Sequence, residues 1–214
     1  MLIYIIRHGE TQANKDGLLQ GWLDTNLNEQ GIELAKQTGI ALKNVKFDIA
    51  FSSPLIRSIH TAQLILKNSE NNVPIVLDER IKEVNVGHWQ GKHLKSEIEI
   101  PQRECSRFFN DPWNFIGFPG GETILDMCER TQNFLRELAV KDYGTVLVST
   151  HGVALRAMLN CLYENKEDFW HGHPAYNCAI NIISVENGQM TLVADDKILY
   201  DRRLCVDRYA DMRE

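Results

Sequence analysis

Four apolar or aromatic positions in a row, Ile3-Tyr4-Ile5-Ile6, break off abruptly at Arg7-His8-Gly9-Glu10. A short unbroken run rich in isoleucine reads as a strand covered on both faces. Polar residues dominate 11–27, among them Asn14, Gln20, Gly21 and Trp22, and this stretch is expected to be a loop over the end of that strand. The apolar spacing then turns helical. Asn28 suits an N-cap, Leu27 and Ile32 suit a hydrophobic staple, and Ile32, Ala35, Gly39 and Leu42 fall on one face. Residues 48–51 predict a second strand ending at Ser53-Pro54, a cap residue with proline at the first helical position. The helix expected over 54–67 carries Arg57 in its first turn.

Residues 75–77 predict a third short strand, followed closely by Glu83. From 87 to 121 the periodicity weakens, and aromatic residues are interspersed with glycine and proline. That stretch reads as an insertion with a helix near 94–109 and an irregular aromatic loop, a length at which loops serve as lids or binding elements. A strong amphipathic helix follows over 122–141, with Ile124, Cys128, Thr131, Leu135 and Leu138 inward and Gly144 as its stop. Residues 145–149 predict a fourth strand running into Thr150-His151-Gly152, with a helix over about 153–163. Residues 179–185 and 190–194 predict a hairpin across Asn187-Gly188. The charged tail after Tyr200 is expected on the surface. Strands alternating with helices imply an α/β fold of three layers: a mostly parallel sheet, made mixed by the final hairpin and flanked by helices. The whole of 1–214 reads as one domain with an insertion, or lid, at about 87–121.

Bulk composition narrows the partners. The net charge of −6 and the scattered basic residues argue against nucleic acid, and no apolar run approaches a membrane span. The chain opens directly into a core strand without a basic-then-apolar signal pattern. Its cysteines (Cys105, Cys128, Cys161, Cys178, Cys205) are odd in number and form no CxxC pair. Reduced thiols and a cytoplasmic location are therefore expected. Nothing in the chain sets an oligomeric state.

Candidate chemistry gathers at the strand ends. Arg7 and His8 follow the first strand, Arg57 the second, Glu83 the third and His151 the fourth. Parallel strands would deliver all five to one edge of the sheet, where open α/β sheets bind ligands. Two helices also start there, and their N-termini suit an anion. Two arginines and two histidines describe a site for a dianion such as phosphate, which arginine grips through a bidentate fork. A neutral histidine can attack phosphorus, and a carboxylate can supply and retrieve the proton. Each residue alone has an ordinary structural reading; their convergence favours the chemical one. His171-Gly172-His173 offers half a metal site but lacks nearby cysteine or carboxylate at ligand spacing, so no metal and no cofactor are expected.

These residues carry a resemblance. Arg7-His8-Gly9-Glu10-Thr11, Asn14 and Gln20-Gly21-Trp22-Leu23-Asp24 resemble the opening of the histidine phosphatase (phosphoglycerate mutase-like) superfamily. Ser52-Ser53-Pro54-Leu55-Ile56-Arg57-Ser58 with Thr61-Ala62 resembles its second block, and Glu83-Val84-Asn85-Val86-Gly87-His88-Trp89-Gln90-Gly91 its third. Pro119-Gly120-Gly121-Glu122-Thr123 and Ser149-Thr150-His151-Gly152 complete the series, in family order, over residues 3 to about 155. The resemblance implies a phosphoenzyme on His8. Arg7, Arg57 and His151 would hold the phosphoryl group, and Glu83 would be the proton donor. Asn14, Thr11, Gln20, Gly21 and Gly152 would be further substrate contacts. It also implies a metal-independent phosphatase acting on a small phosphorylated metabolite through phosphohistidine. A cofactor-dependent phosphoglycerate mutase is the first alternative, and a non-catalytic phosphate-ester-binding protein the second. Against the mutase, the insertion has no Arg-Arg pair to anchor a second anionic group, only Arg103 and Arg107. Trp113, Phe115 and Phe118 are read either as packing or as an apolar wall facing the substrate.

Overall fold

The computed structural model describes residues 1–69, 72–94, 101–172 and 175–205. Six strands form one mixed sheet: β1 (Leu2–Arg7), β2 (Ile49–Ser52), β3 (Ile75–Leu77), β4 (Thr145–Thr150), β5 (Ile180–Glu186) and β6 (Gln189–Lys197). Their order is β3-β2-β4-β1-β5-β6. The first four are mutually parallel where they pair, and β5 joins β1 antiparallel to begin the closing hairpin. The turn of that hairpin places both Asn187 and Gly188 at positive φ, 52° and 78°, as a two-residue connection matching strand twist requires.

The helices are α1 (Gln12–Lys15), α2 (Glu29–Ala41), α3 (Ile56–Leu66), α4 (Gln102–Asn110), α5 (Ile124–Ala139) and α6 (Gly152–Leu159). Asn28 caps α2 by accepting the Gly31 N–H. The buried face of α2 is Gly31, Leu34, Ala35, Thr38 and Gly39, so Ile32 is only half-buried and the expected face is rotated. Thr123 caps α5 through a reciprocal box with Asp126, a signal beside the expected start at 122. The apolar face of α5 is as expected, with Met127 and Phe134 added.

Several boundaries differ from expectation, each for a local reason. The stretch 11–27 is not all loop, because Thr11 and Asn14 form a capping box that starts α1. Helix α3 starts at Ile56, not Pro54; Ser53 turns its hydroxyl to His151 and to the Leu55 N–H instead of capping a helix. Helix α5 stops at Ala139, before Gly144, whose N–H goes to Asp48 Oδ2. Helix α6 is also shorter than expected and gives way to a tight turn over Asn160–Leu162. Helix α4 covers only the end of the helix expected over 94–109, of which 95–100 lie outside the described residues. Within the tail, Leu204 and Cys205 pack against the cluster of Leu34, Ala35, Cys178 and Tyr200; residues 206–214 lie outside the described set.

The core is layered around the sheet. Ile3, Ile5, Val146, Val148 and Ile183 pack against Leu135, Leu138, Leu155 and Met158 of α5 and α6. Ile6, Ala50 and Leu147 pack on the other face against Ala62 and Ile65 of α3. A further cluster joins the segment 84–118 to α5. Trp89, Phe108, Phe109, Phe115 and Phe118 interlock there with Met127, Phe169 and Trp170. The ring pairs are mostly edge-to-face, at centroid distances such as 5.1 Å for Phe108 and Phe118, the arrangement aromatic quadrupoles favour.

Candidate active site

Strand register brings the site together. Arg7 of β1 lies beside Thr150 of β4, so the next residues, His8 and His151, emerge as neighbours. Their ring centroids are 5.1 Å apart. Ser52 of β2 lies beside Ser149 of β4, which sets Ser53 against His151, its Oγ 2.7 Å from Nε2. Close approach of α2 completes the edge: a Cβ on Gly9 would sit 2.5 Å from the Gly31 carbonyl oxygen, so only glycine fits there.

Arg7, His8, Asn14, Gln20, Gly21, Arg57, Glu83 and Gly152 line a single cleft of about 600 Å³, counting its open mouth. His8 is buried, and its Nδ1 lies 2.7 Å from the Gly9 carbonyl oxygen. A carbonyl oxygen can only accept, so Nδ1 carries the proton and Nε2 holds the lone pair. Burial, then the charges of Arg57 and Arg7, hold the His8 imidazole well below its ordinary range. It is therefore neutral at neutral pH.

Arg57 is fully buried and donates to the carbonyls of Leu23, at 2.6 Å, and Gly21, at 2.8 Å. Burial lowers its guanidinium to about 10, against the opposing pull of Glu83 and Asp24, so it stays charged at neutral pH. Gly21 sits at φ +50°, where a Cβ would strike Val86 Cγ2 at 2.5 Å, and so glycine is needed to present that carbonyl. Arg7 donates to the carbonyl of Ala175. Glu83 is held at the head of α6: Oε1 accepts from Val84 and Ala154 N–H, and Oε2 from Val153 N–H.

The smaller contacts sort themselves by what remains unused. Asn14 Oδ1 accepts the Thr11 N–H and Gln20 Oε1 accepts the Thr25 hydroxyl, so each amide has its NH2 left to offer an anion. Thr11 is fully buried, caps α1 and does not form part of the cleft wall. Its hydroxyl lies 3.1 Å from Asn14 Oδ1 and 3.0 Å from Gln20 Oε1, beside the cleft. His151 is also fully buried and lies beside His8, with no hydrogen-bond partner on Nδ1 among the described residues. Burial and then Arg57 push its imidazole well below the ordinary range as well.

The rest of the wall is apolar, from Leu18, Leu19, Val84, Val86, Leu94, Phe108, Phe109, Val153 and Trp170. Trp113, Phe115 and Phe118 lie behind this surface in the aromatic cluster and serve packing. The sequence pattern does not single out Leu18, Leu19, Leu94, Phe108, Phe109 or Trp170 as wall residues. A pair of adjacent aromatics, Phe108-Phe109, near the C-terminal end of an amphipathic helix was the available signal. Of the His171-Gly172-His173 pair, His173 lies outside the described residues. Among the described residues no cluster of three or more His, Cys, Asp or Glu side chains could hold a metal. No helix among them is long and apolar enough to cross a membrane.

Two buried neutral histidines set a pH dependence of stability. Unfolded histidine titrates near ~6.5, and the folded values of His8 and His151 lie well below that. Below about pH 6.5 the unfolded chain binds protons that the native state refuses, so stability is full above that pH and falls as pH drops. Each histidine contributes a slope of up to about 1.4 kcal/mol per pH unit. Half-buried His171 is shifted in the same direction. Urea unfolding between roughly pH 7.5 and 5, above the range of paired carboxylates, is expected to show this decline. A flat profile would contradict buried neutral imidazoles.

Comparison with known proteins agrees with the geometry. The model of the histidine phosphatase superfamily (branch 1) matches residues 3–196. The adenosylcobalamin/alpha-ribazole phosphatase of Escherichia coli (strain K12) is 32% identical over 180 residues, covering 83% of this chain and 87% of that protein. The 2,3-bisphosphoglycerate-dependent phosphoglycerate mutase of Cytophaga hutchinsonii is 33% identical over 174 residues, covering 79% and 81%. The structure of Bacillus stearothermophilus YhfR superposes with a TM-score of 0.86 at 27% identity, over 92% of this chain and 97% of that one. With the strand order, the convergent cleft and the match over residues 3–196, this chain belongs to the histidine phosphatase superfamily.

Proposed function

We propose that the protein is a metal-independent phosphatase that hydrolyses small phosphate monoesters through a phosphohistidine on His8. The observation that carries this reading is the His8 ring. Its proton is fixed on Nδ1 by the Gly9 carbonyl, and its Nε2 lone pair stands in a cleft with two guanidiniums and one carboxyl group. Nε2 attacks phosphorus as the ester P–O bond breaks, and Glu83 gives its proton to the departing alcohol oxygen. The Gly9 carbonyl stabilises the positive charge that grows on the ring. Water then attacks the phosphorus, Glu83 takes a proton from it, and the N–P bond breaks to return neutral His8 and inorganic phosphate.

Arg7 and Arg57 supply the positive charge that Mg²⁺ supplies at other phosphoryl-transfer sites. Among the described residues, the buried Arg57 Nε and His151 Nδ1 have no hydrogen-bond partner. Buried donors left unpaired cost about 1–3 kcal/mol each, and phosphoryl oxygens would satisfy them. Ser53 Oγ accepts the Leu55 N–H, so its own proton suits His151 Nε2 and leaves Nδ1–H as the donor.

The apolar wall favours hydrolysis over mutase chemistry. A mutase must anchor a second anionic group so that a substrate hydroxyl, and not water, reaches the phosphorus. Arg103 is exposed and Arg107 pairs with Glu104 at 3.3 Å; neither lines the cleft. The alcohol would instead rest on Leu94, Phe108, Phe109 and Trp170, which suits an uncharged, apolar body. Relatives named as phosphatases of alpha-ribazole and of phosphoserine support hydrolysis, without bearing on the polarity of the alcohol. The test is a panel of phosphate monoesters assayed in chelator, with 3-phosphoglycerate included with and without a bisphosphoglycerate primer. Phosphate release without metal, fastest from esters with apolar alcohols, is expected. Primer-dependent isomerisation outrunning phosphate release would establish a mutase. Silence across the panel would leave a binding protein.

A further inference from the structure

Glu83 sits on a segment with little regular structure, between a tight turn at Glu79–Ile81 and a second at Gly87–Trp89. Something must hold it, because a proton donor displaced by about 1 Å loses on the order of 100-fold in rate. One side chain on α5 does this. Arg130 donates through Nη1 to the carbonyls of Arg80, at 2.6 Å, and Lys82, at 2.8 Å, and through Nη2 to the carbonyl of Glu83 itself, at 2.9 Å. Its remaining donors go to Glu122: Nε to Oε1 at 2.7 Å and Nη2 to Oε2 at 2.9 Å. The five N–H groups of the guanidinium are thereby all engaged.

Glu122 extends the clamp, since Oε2 also accepts the Asn85 N–H at 2.7 Å. Trp22 Nε1 also donates to the same Glu83 carbonyl at 2.8 Å, with the Lys82 ammonium 3.6 Å from its ring centroid. The backbone on both sides of Glu83 is therefore fastened at residues 80, 82, 83 and 85, chiefly by one planar fork.

We propose that Arg130, oriented by Glu122, is a positioning residue that sets where the Glu83 carboxyl meets the leaving oxygen. This rests on the reading of Glu83 as proton donor given above. Lysine cannot replace the fork, because a single ammonium cannot span three carbonyls and a carboxylate in one plane.

The experiment measures kcat/KM, which reports phosphoryl transfer to the enzyme, for an alkyl phosphate and for p-nitrophenyl phosphate. The nitrophenolate leaves without a proton, so only the alkyl ester needs an aligned Glu83. Arg130→Lys is expected to lower kcat/KM for the alkyl ester by about ten- to a hundredfold and for the aryl ester by no more than about threefold. In a Glu83→Gln background the same change should cost less than about threefold for either ester. Should Arg130→Lys not fold, Glu122→Gln and Trp22→Phe carry the test, each with the same direction and a smaller size. Equal losses for both esters, or full losses persisting in the Glu83→Gln background, would mean that the clamp only stabilises the fold. If Glu83→Gln alone shows no dependence on leaving group, the proton-donor reading fails first and this inference falls with it.

Discussion

Replacing His8 by alanine is expected to reduce phosphate release by on the order of 10⁴-fold or more, the scale on which loss of a covalent nucleophile acts, while the fold survives. The side chain makes one hydrogen bond, to the Gly9 carbonyl of the adjacent residue, and it belongs to none of the apolar clusters. The backbone of His8 is held independently: its N–H goes to the Thr150 carbonyl at 2.9 Å and its carbonyl accepts from Asn177 Nδ2 at 2.8 Å. Those bonds do not depend on the ring. His8→Ala also removes one of the two imidazoles forced to stay neutral, so its stability should fall less steeply below about pH 6.5 than that of the parent. Brief exposure of the parent to labelled ester should give an acid-labile, base-stable adduct that the variant lacks. Label retained after His8 is removed, or mapped to His151, would reassign the nucleophile. Unchanged turnover would end the phosphohistidine reading altogether.

The strand ends were readable because each was written twice, as the end of an apolar run and as the start of a charged or polar cluster. Ile3-Tyr4-Ile5-Ile6 before Arg7-His8 and the run into Thr150-His151 are of this kind. Parallel pairing did the rest, since the Arg7–Thr150 register makes His8 and His151 neighbours without further instruction. The apolar wall was not readable in the same way. Leu18 and Leu19 sit in a polar stretch without periodicity. Phe108 and Phe109 look like core on any helical projection, and in part they are. Trp170 arrives from a turn some sixty residues later, and no local pattern predicts where such a residue docks. The same limit hid the clamp on Glu83: Arg130 lies mid-helix in α5, where a charged side chain ordinarily faces solvent. Helix starts failed where a capping residue had other work. Ser53-Pro54 has every mark of an N-terminus, yet the Ser53 hydroxyl is spent on His151 and the helix waits until Ile56.

Glu83→Gln is expected to separate acid catalysis from binding. Glutamine keeps the shape of the contact: its amide oxygen can take the place of Oε1, which accepts from Val84 at 2.9 Å and Ala154 at 3.1 Å. The amide NH2 then falls where Oε2 makes the longer 3.4 Å contact with Val153 N–H, so the head of α6 is little disturbed. What is lost is the proton. General acid–base groups contribute about 100- to 10,000-fold, and kcat/KM for an alkyl phosphate should fall within that range. For p-nitrophenyl phosphate kcat/KM should fall far less, because its leaving group departs as the anion. Turnover of both esters should nevertheless slow, since Glu83 also takes the proton of the attacking water in the second step. With the aryl ester the variant should therefore show a burst of one equivalent of nitrophenol followed by a slow phase, as phospho-His8 forms faster than it is hydrolysed. That burst, with phosphate still bound to the protein, is a signature that a simple binding role for Glu83 would not produce. An equal fall in kcat/KM for both esters, with no burst, would remove Glu83 from the proton-transfer step and leave it as a cap on α6.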